Sequence, residues 1–137
     1  MKAFVRRAAL AIAGLLALAP AGSSMAQDRP IHAPAAGDEV VVYTHRFNAK
    51  DFEQGAKIVE EEFTAAQSRM GQTRLNYFLV NPERHDVVVV SFFGKDESVD
   101  EWHEYMGRLD VLDRLAPLRR EPLAFERYQV RAVTEAE

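Results

Sequence analysis

The sequence predicts an α+β domain of the ferredoxin-like kind, ordered β-α-β-β-α-β, with an antiparallel sheet and both helices on one face. Three observations predict it. Short runs rich in β-branched and aromatic residues stand at 39–47, 74–81, 86–93 and 123–130, each bounded by turn residues. Stretches of helical period fill the gaps after the first and third runs. The gap between the second and third runs is a bare turn, so those two pair as a hairpin.

Each element has a local reason. Residues 39–47 (EVVVYTHRF) follow Gly37-Asp38 and read as the first strand. Asn48, with Asp51 three residues on, is a helix N-cap pattern. Phe52, Ala56, Val59, Phe63, Ala66 and Met70 recur at spacings of 4, 3, 4, 3 and 4, which makes one apolar helical stripe. Glu60, Glu61 and Glu62 fall mostly away from it, and Gly71 suits a left-handed cap. Residues 74–81 (RLNYFLVN), the turn Asn81-Pro82-Glu83-Arg84 and residues 86–93 (DVVVVSFF) form the hairpin. Ser98 and Glu101 make a capping box for a second helix, which runs to about Met106. Gly107 breaks it, Leu109, Leu112 and Leu115 continue a short segment, and Pro117 stops that. Residues 123–130 (LAFERYQV) close the sheet, and 131–137 are a tail.

The strands carry apolar side chains on both faces. Val87, Val89 and Phe93 oppose Val88, Val90 and Phe92, while Leu75, Tyr77 and Leu79 oppose Phe78 and Val80. A sheet with helices on one face should alternate apolar and polar. The open face therefore needs a cover, and the economical one is the same face of a second copy. The sequence predicts a homodimer packed sheet to sheet.

Residues 1–26 read as a secretory signal peptide. Lys2, Arg6 and Arg7 precede an apolar run of twelve residues, and Ser24-Met25-Ala26 is a small-x-small cleavage site. Twelve apolar residues are too few for a bilayer, which takes about 20. An exported chain, periplasmic or secreted, would start at Gln27, with no membrane attachment after cleavage and residues 27–38 as a flexible linker. Of 17 basic and 21 acidic residues the leader takes three basic ones, leaving 14 against 21 and a net charge of −7. That balance excludes nucleic acid and anionic membrane as partners, since both select basic patches. With no cysteine, the domain folds without disulfides and without thiolate chemistry.

The hairpin 77–93, the Ser98-x-x-Glu101-Trp102 helix start and the closing strand 122–130 with Tyr128 resemble the antibiotic biosynthesis monooxygenase (ABM) superfamily, the dimeric α+β barrels. The resemblance covers residues 39–130. It implies a homodimer, a pocket between sheet and helices, and cofactor-free oxygenation of quinols or polycyclic aromatics. Heme-degrading members carry an Asn on the first strand, a Trp in the second helix and an axial His about ten residues later. Trp102 matches, but Leu112 stands where the His is expected, Thr44 and His45 stand where the Asn is expected, and Asn48 comes a turn too late.

The resemblance implies Tyr43, Asn48, Tyr77, Phe92 and Trp102 as residues lining a site for a small aromatic substrate, with His45 and His103 as candidate bases and no cofactor. Cofactor-free oxygenation needs a base for a phenolic proton and a dry pocket for the resulting anion. Imidazole titrates near pH ~6.5, which suits His45 and His103. His45 shares strand parity with Tyr43 and Phe47. Set against these roles, Trp102 is also a core anchor, Asn48 a cap, and His103 a solvated residue, because adjacent helix positions do not share a face. No metal is expected: His32, His45, His85 and His103 have no paired spacing and no carboxylate set. The alternative function is a non-catalytic periplasmic protein that binds an aromatic molecule or heme.

Overall fold

The computed structural model describes residues 33–135; the leader, His32, the start of the arm and the last two residues lie outside them. The elements are β1 (Glu39–Arg46), α1 (Phe52–Arg69), β2 (Leu75–Asn81), β3 (Asp86–Phe93), α2 (Val99–Gly107), α3 (Val111–Leu115) and β4 (Ala124–Gln129). Single 3-10 turns at Ala49–Asp51 and Ala116–Leu118 lead into α1 and out of α3. The sheet order is β2-β3-β1-β4 with every pair antiparallel, which is the ferredoxin-like arrangement.

The register sorts the side chains. His45 lies opposite Val87, Tyr43 opposite Val89 and Val41 opposite Ser91, and these side chains face the helices. Against them α1 buries Phe52, Val59, Phe63 and Ala66, α2 buries Val99, Trp102 and Met106, and α3 buries Val111 and Leu115. Fully burying one such side chain contributes about 1.5–3 kcal/mol, so this layer supplies most of what holds the fold. Gly55 lets α1 sit down on the strand. A Cβ there would stand 2.4 Å from Cε1 of the fully buried Phe47 ring. Gly55→Ala gains about 1 kcal/mol of helix propensity but overpacks a rigid site at about 1–3 kcal/mol. We expect a net loss of about 1–2 kcal/mol in urea titration, recovered in part by Phe47→Leu; additive losses in the double variant would disprove the coupling.

The other face carries four rows. Three are largely apolar: Leu75, Phe92, Val40 and Tyr128; Tyr77, Val90, Val42 and Glu126; and Leu79, Val88, Thr44 and Ala124. The fourth, Asn81, Asp86 and Arg46, is polar and closes that end of the face. In the first three Glu126 is the single charged residue, and its carboxylate accepts from the Tyr128 hydroxyl. Tyr77 is 51% exposed, Leu79 51% and Tyr128 52%.

Two local expectations change. Asn48 does not cap a helix through its side chain. The amide Nδ2 donates instead to the Leu118 carbonyl at 3.0 Å, while the Asn48 backbone N–H donates to the same oxygen at 2.9 Å. Asn48 thus pins β1 to the turn after α3, because that turn leaves its carbonyls without helical partners. At the end of the arm, residues 35–38 form a hydrogen-bonded turn. The Ala35 N–H donates to Asp38 Oδ2 at 2.9 Å, and the Gly37 N–H donates to the Val130 carbonyl at 2.8 Å. Gly37 holds φ at 95°, a region that glycine enters without strain. The capping box is seen in its serine half, with the Glu101 N–H donating to Ser98 Oγ at 3.2 Å.

Candidate functional site

Between the sheet and the second half of the chain lies an apolar cavity of about 230 Å³. Its walls are Tyr43 from β1, Phe63 from α1, Trp102, His103 and Met106 from α2, Leu112 from α3, and Leu123 and Phe125 at β4. Phe125 is 46% exposed, so the cavity meets solvent at the β4 edge. An apolar cavity of about 150 Å³ holds a benzene ring, so this one has room for one or two rings.

The cavity has one polar feature. The Tyr43 hydroxyl lies 2.8 Å from Nε2 of His103. Strand parity turns Tyr43 inward, and its place opposite Phe125 on β4 brings it beneath α2. Burial raises the Tyr43 phenol above its usual range, against the opposing pull of the Arg74 charge and the Trp102 indole N–H. Burial, helped by the Arg127 charge, holds the His103 imidazole below its usual range. Both groups are therefore neutral near pH 7. Tyr43 donates to Nε2, which leaves the His103 proton on Nδ1. Phe125 packs edge-on against the imidazole, with ring centroids 4.8 Å apart. A neutral imidazole joined to a phenol in an apolar wall can accept a proton from a bound hydroxyl by way of the Tyr43 oxygen.

Of the residues singled out from the sequence, the structure brings Tyr43, Trp102 and His103 together. His103 reaches the cavity beside Trp102 because the space wraps around α2, with Trp102 over the sheet and His103 over β4. His45 faces the same side of the sheet but does not line this cavity. It is 0% exposed, stacked on Phe47 with centroids 5.9 Å apart and edge-on to Phe63 at 5.7 Å. Neither of its ring nitrogens has a hydrogen-bond partner among the described residues. Burial first, then the Arg119 charge, lowers its pKa to about 3. Tyr77 and Phe92 meet each other at 6.0 Å on the opposite, open face, and Asn48 is at the turn after β1. Phe63, Met106, Leu112, Leu123 and Phe125 line the cavity without having been singled out. Phe63 lay in the α1 stripe, where a wall residue and a core residue have the same pattern.

Behind Trp102 lies Arg74. Its guanidinium carbon is 4.5 Å from the Trp102 ring centroid and 4.1 Å from that of Phe93. Among the described residues, no group of three His, Asp or Glu is gathered to hold a metal. No helix of the described residues is long and apolar enough to cross a membrane.

Comparison with solved structures finds the same fold. A dimeric ferredoxin-like protein from an uncultured marine organism superposes with a TM-score of 0.53 at 14% identity, over 74% of this chain and 94% of that one. A NIPSNAP family protein from Agrobacterium tumefaciens str. C58 superposes with a TM-score of 0.50 at 18% identity, over 66% of this chain and 90% of that one. No protein-family model matches the chain, and no curated protein matches it by sequence.

Proposed function

We propose that this protein is an exported homodimer that binds a small, quinol-like aromatic in the cavity and oxygenates it without a cofactor, as ABM-type proteins do. The observation that carries the reading is the Tyr43–His103 hydrogen bond, 2.8 Å long, in an otherwise apolar wall. The ring of the substrate lies against Trp102 and Phe125. Its hydroxyl proton passes through the Tyr43 oxygen to His103. The anion so formed reduces oxygen in a space that excludes water. One oxygen atom enters the ring and the other leaves as water, with the substrate supplying the electrons.

The dimer reading draws on the three largely apolar rows of the open face and on the marine protein, which is itself dimeric. The export reading draws on Lys2, Arg6 and Arg7 before the apolar run and on Ser24-Met25-Ala26 after it.

Oxygen uptake against a panel of hydroquinones and anthrones tests the activity. Uptake is expected above the autoxidation blank. Removing a general base typically costs about 10²–10⁴-fold, so His103→Ala should lose at least 10²-fold and Tyr43→Phe should also be impaired. Full turnover in His103→Ala would remove the proposed base. Quenching of Trp102 emission with no uptake on any substrate would leave binding without turnover as the function.

A further inference from the structure

Arg74 stands immediately before β2, and its side chain is 1% exposed. Arginine does not give up its proton in proteins, so this is a buried positive charge. Its place is fixed on several sides. The guanidinium lies between the Phe93 and Trp102 rings, and the backbone carbonyl accepts from Gln67 Nε2 at 2.8 Å. Its hydrogen bonds are few for five donors. Nη1 donates to Gln72 Oε1 at 2.6 Å and to Glu97 Oε1 at 3.4 Å, while Nε and Nη2 have no partner among the described residues. The other cation near the site is differently placed. Arg127 reaches Glu39 with Nε at 2.5 Å and Asp100 with Nη1 at 3.0 Å, so two carboxylates offset its charge. The charge on Arg74 has one carboxylate at one corner. Burial without full pairing is costly, and a negative charge placed nearby recovers part of that cost.

Such a place exists on the far side of a shared wall. Trp102 touches Arg74 and lines the cavity. Tyr43, whose hydroxyl is the polar point of the cavity, lies within the field of the Arg74 charge. Phenols, enols and their anions are the ligands whose charge such a field separates. On the reading of the cavity as an aromatic-ligand site, we propose that Arg74 is a positioning residue that makes the site selective for the ionised form of its ligand, a phenolate or enolate. Arg74 acts through Trp102 and makes no contact with the ligand. Transfer of the ligand proton to His103 leaves an imidazolium and an anion, and the anion is the species that Arg74 stabilises.

4-Nitrophenol is the probe, because its phenolate absorbs visible light and its phenol does not. Trp102 is the single tryptophan, so quenching of its emission reports occupancy. Burial raises the ionisation pH of a phenol held here, as it does for Tyr43, so the role of Arg74 is read as the difference between proteins holding the same probe. Arg74→Met should raise the pH at which the bound probe ionises by about one unit, a tenfold shift in the ionisation ratio, and Arg74→Lys should restore part of the difference. Glu97→Gln, which strips the one carboxylate from Arg74, should lower that pH relative to the unmodified protein. Quenching with the same ionisation pH in Arg74→Met and the unmodified protein, or a Glu97→Gln variant that shifts it upward or not at all, overturns the role of Arg74 and leaves the cavity reading in place. Absence of quenching at millimolar probe overturns the cavity reading and this inference with it. Glu97→Gln keeps the test decisive should Arg74→Met fail to fold.

Discussion

Acid should unfold this protein through His45. Its pKa is 6.5 in the unfolded chain and about 3 when folded, so between those values the unfolded state holds a proton that the folded state refuses. Stability then rises with pH across that window and falls as the solution is acidified. The slope is about 1.4 kcal/mol per pH unit, and the full window is worth on the order of 5 kcal/mol. Domains of this size are stable by about 5–15 kcal/mol, so one side chain accounts for a large part of the total. His45→Phe fits the stack with Phe47 and Phe63 and removes two nitrogens that have no partner, so at pH 7 it should be neutral or stabilising. Urea midpoints at pH 7 and pH 4 check this. The difference between the two should shrink by roughly 3 kcal/mol in His45→Phe. An unchanged difference would mean that protonated His45 is accommodated in the native state.

If the protein pairs through its open sheet face as proposed, Val90→Glu should convert dimer to monomer. Val90 lies between Tyr77 and Val42 in the middle row of the open face. In a two-fold interface each copy contributes the same residue, so one substitution buries two unpaired charges. Each costs about 3 kcal/mol or more, and every 1.4 kcal/mol is tenfold in affinity. Together they predict a loss of at least 10⁴-fold in dimer affinity. The single subunit should keep its fold, because the new carboxylate faces water in the monomer. Light scattering at micromolar concentration gives the state, and circular dichroism gives the fold. A dimeric variant, or a monomeric parent, would disprove packing through this face.

The fold was legible because period and parity are local. The α1 stripe and the two-sided strands specified which residues meet before any contact was known. Gly107 and Pro117 marked where α2 and α3 end. The site was legible only in part. Parity sent Tyr43 and His45 to the same face, but it does not say which has free space above it. That depends on α1 pressing onto His45 through Phe63, while α2 and β4 leave room over Tyr43. Tyr77 and Phe92 read as site aromatics because composition does not distinguish the two faces once both are apolar. His103 was set apart from Trp102 by a rule about flat faces, and the cavity curves around the helix. Arg74 gave no signal, since a basic residue at the start of a strand is usually solvated, and its burial is produced by Phe93 and Trp102 from elsewhere in the chain.

None of the six residues of β4 is buried, and Phe125 on that strand is a wall of the cavity. Beyond its ladder to β1, the strand is held by Arg127 on Asp100 and by Phe125 against His103, and a strand with no buried residue opens at a lower free energy than the core beneath it. We expect opening of this strand to govern exchange with the cavity. Residence time and melting temperature should then respond to different substitutions: one deep under α1 should move mainly the second, and one in the β1–β4 ladder mainly the first.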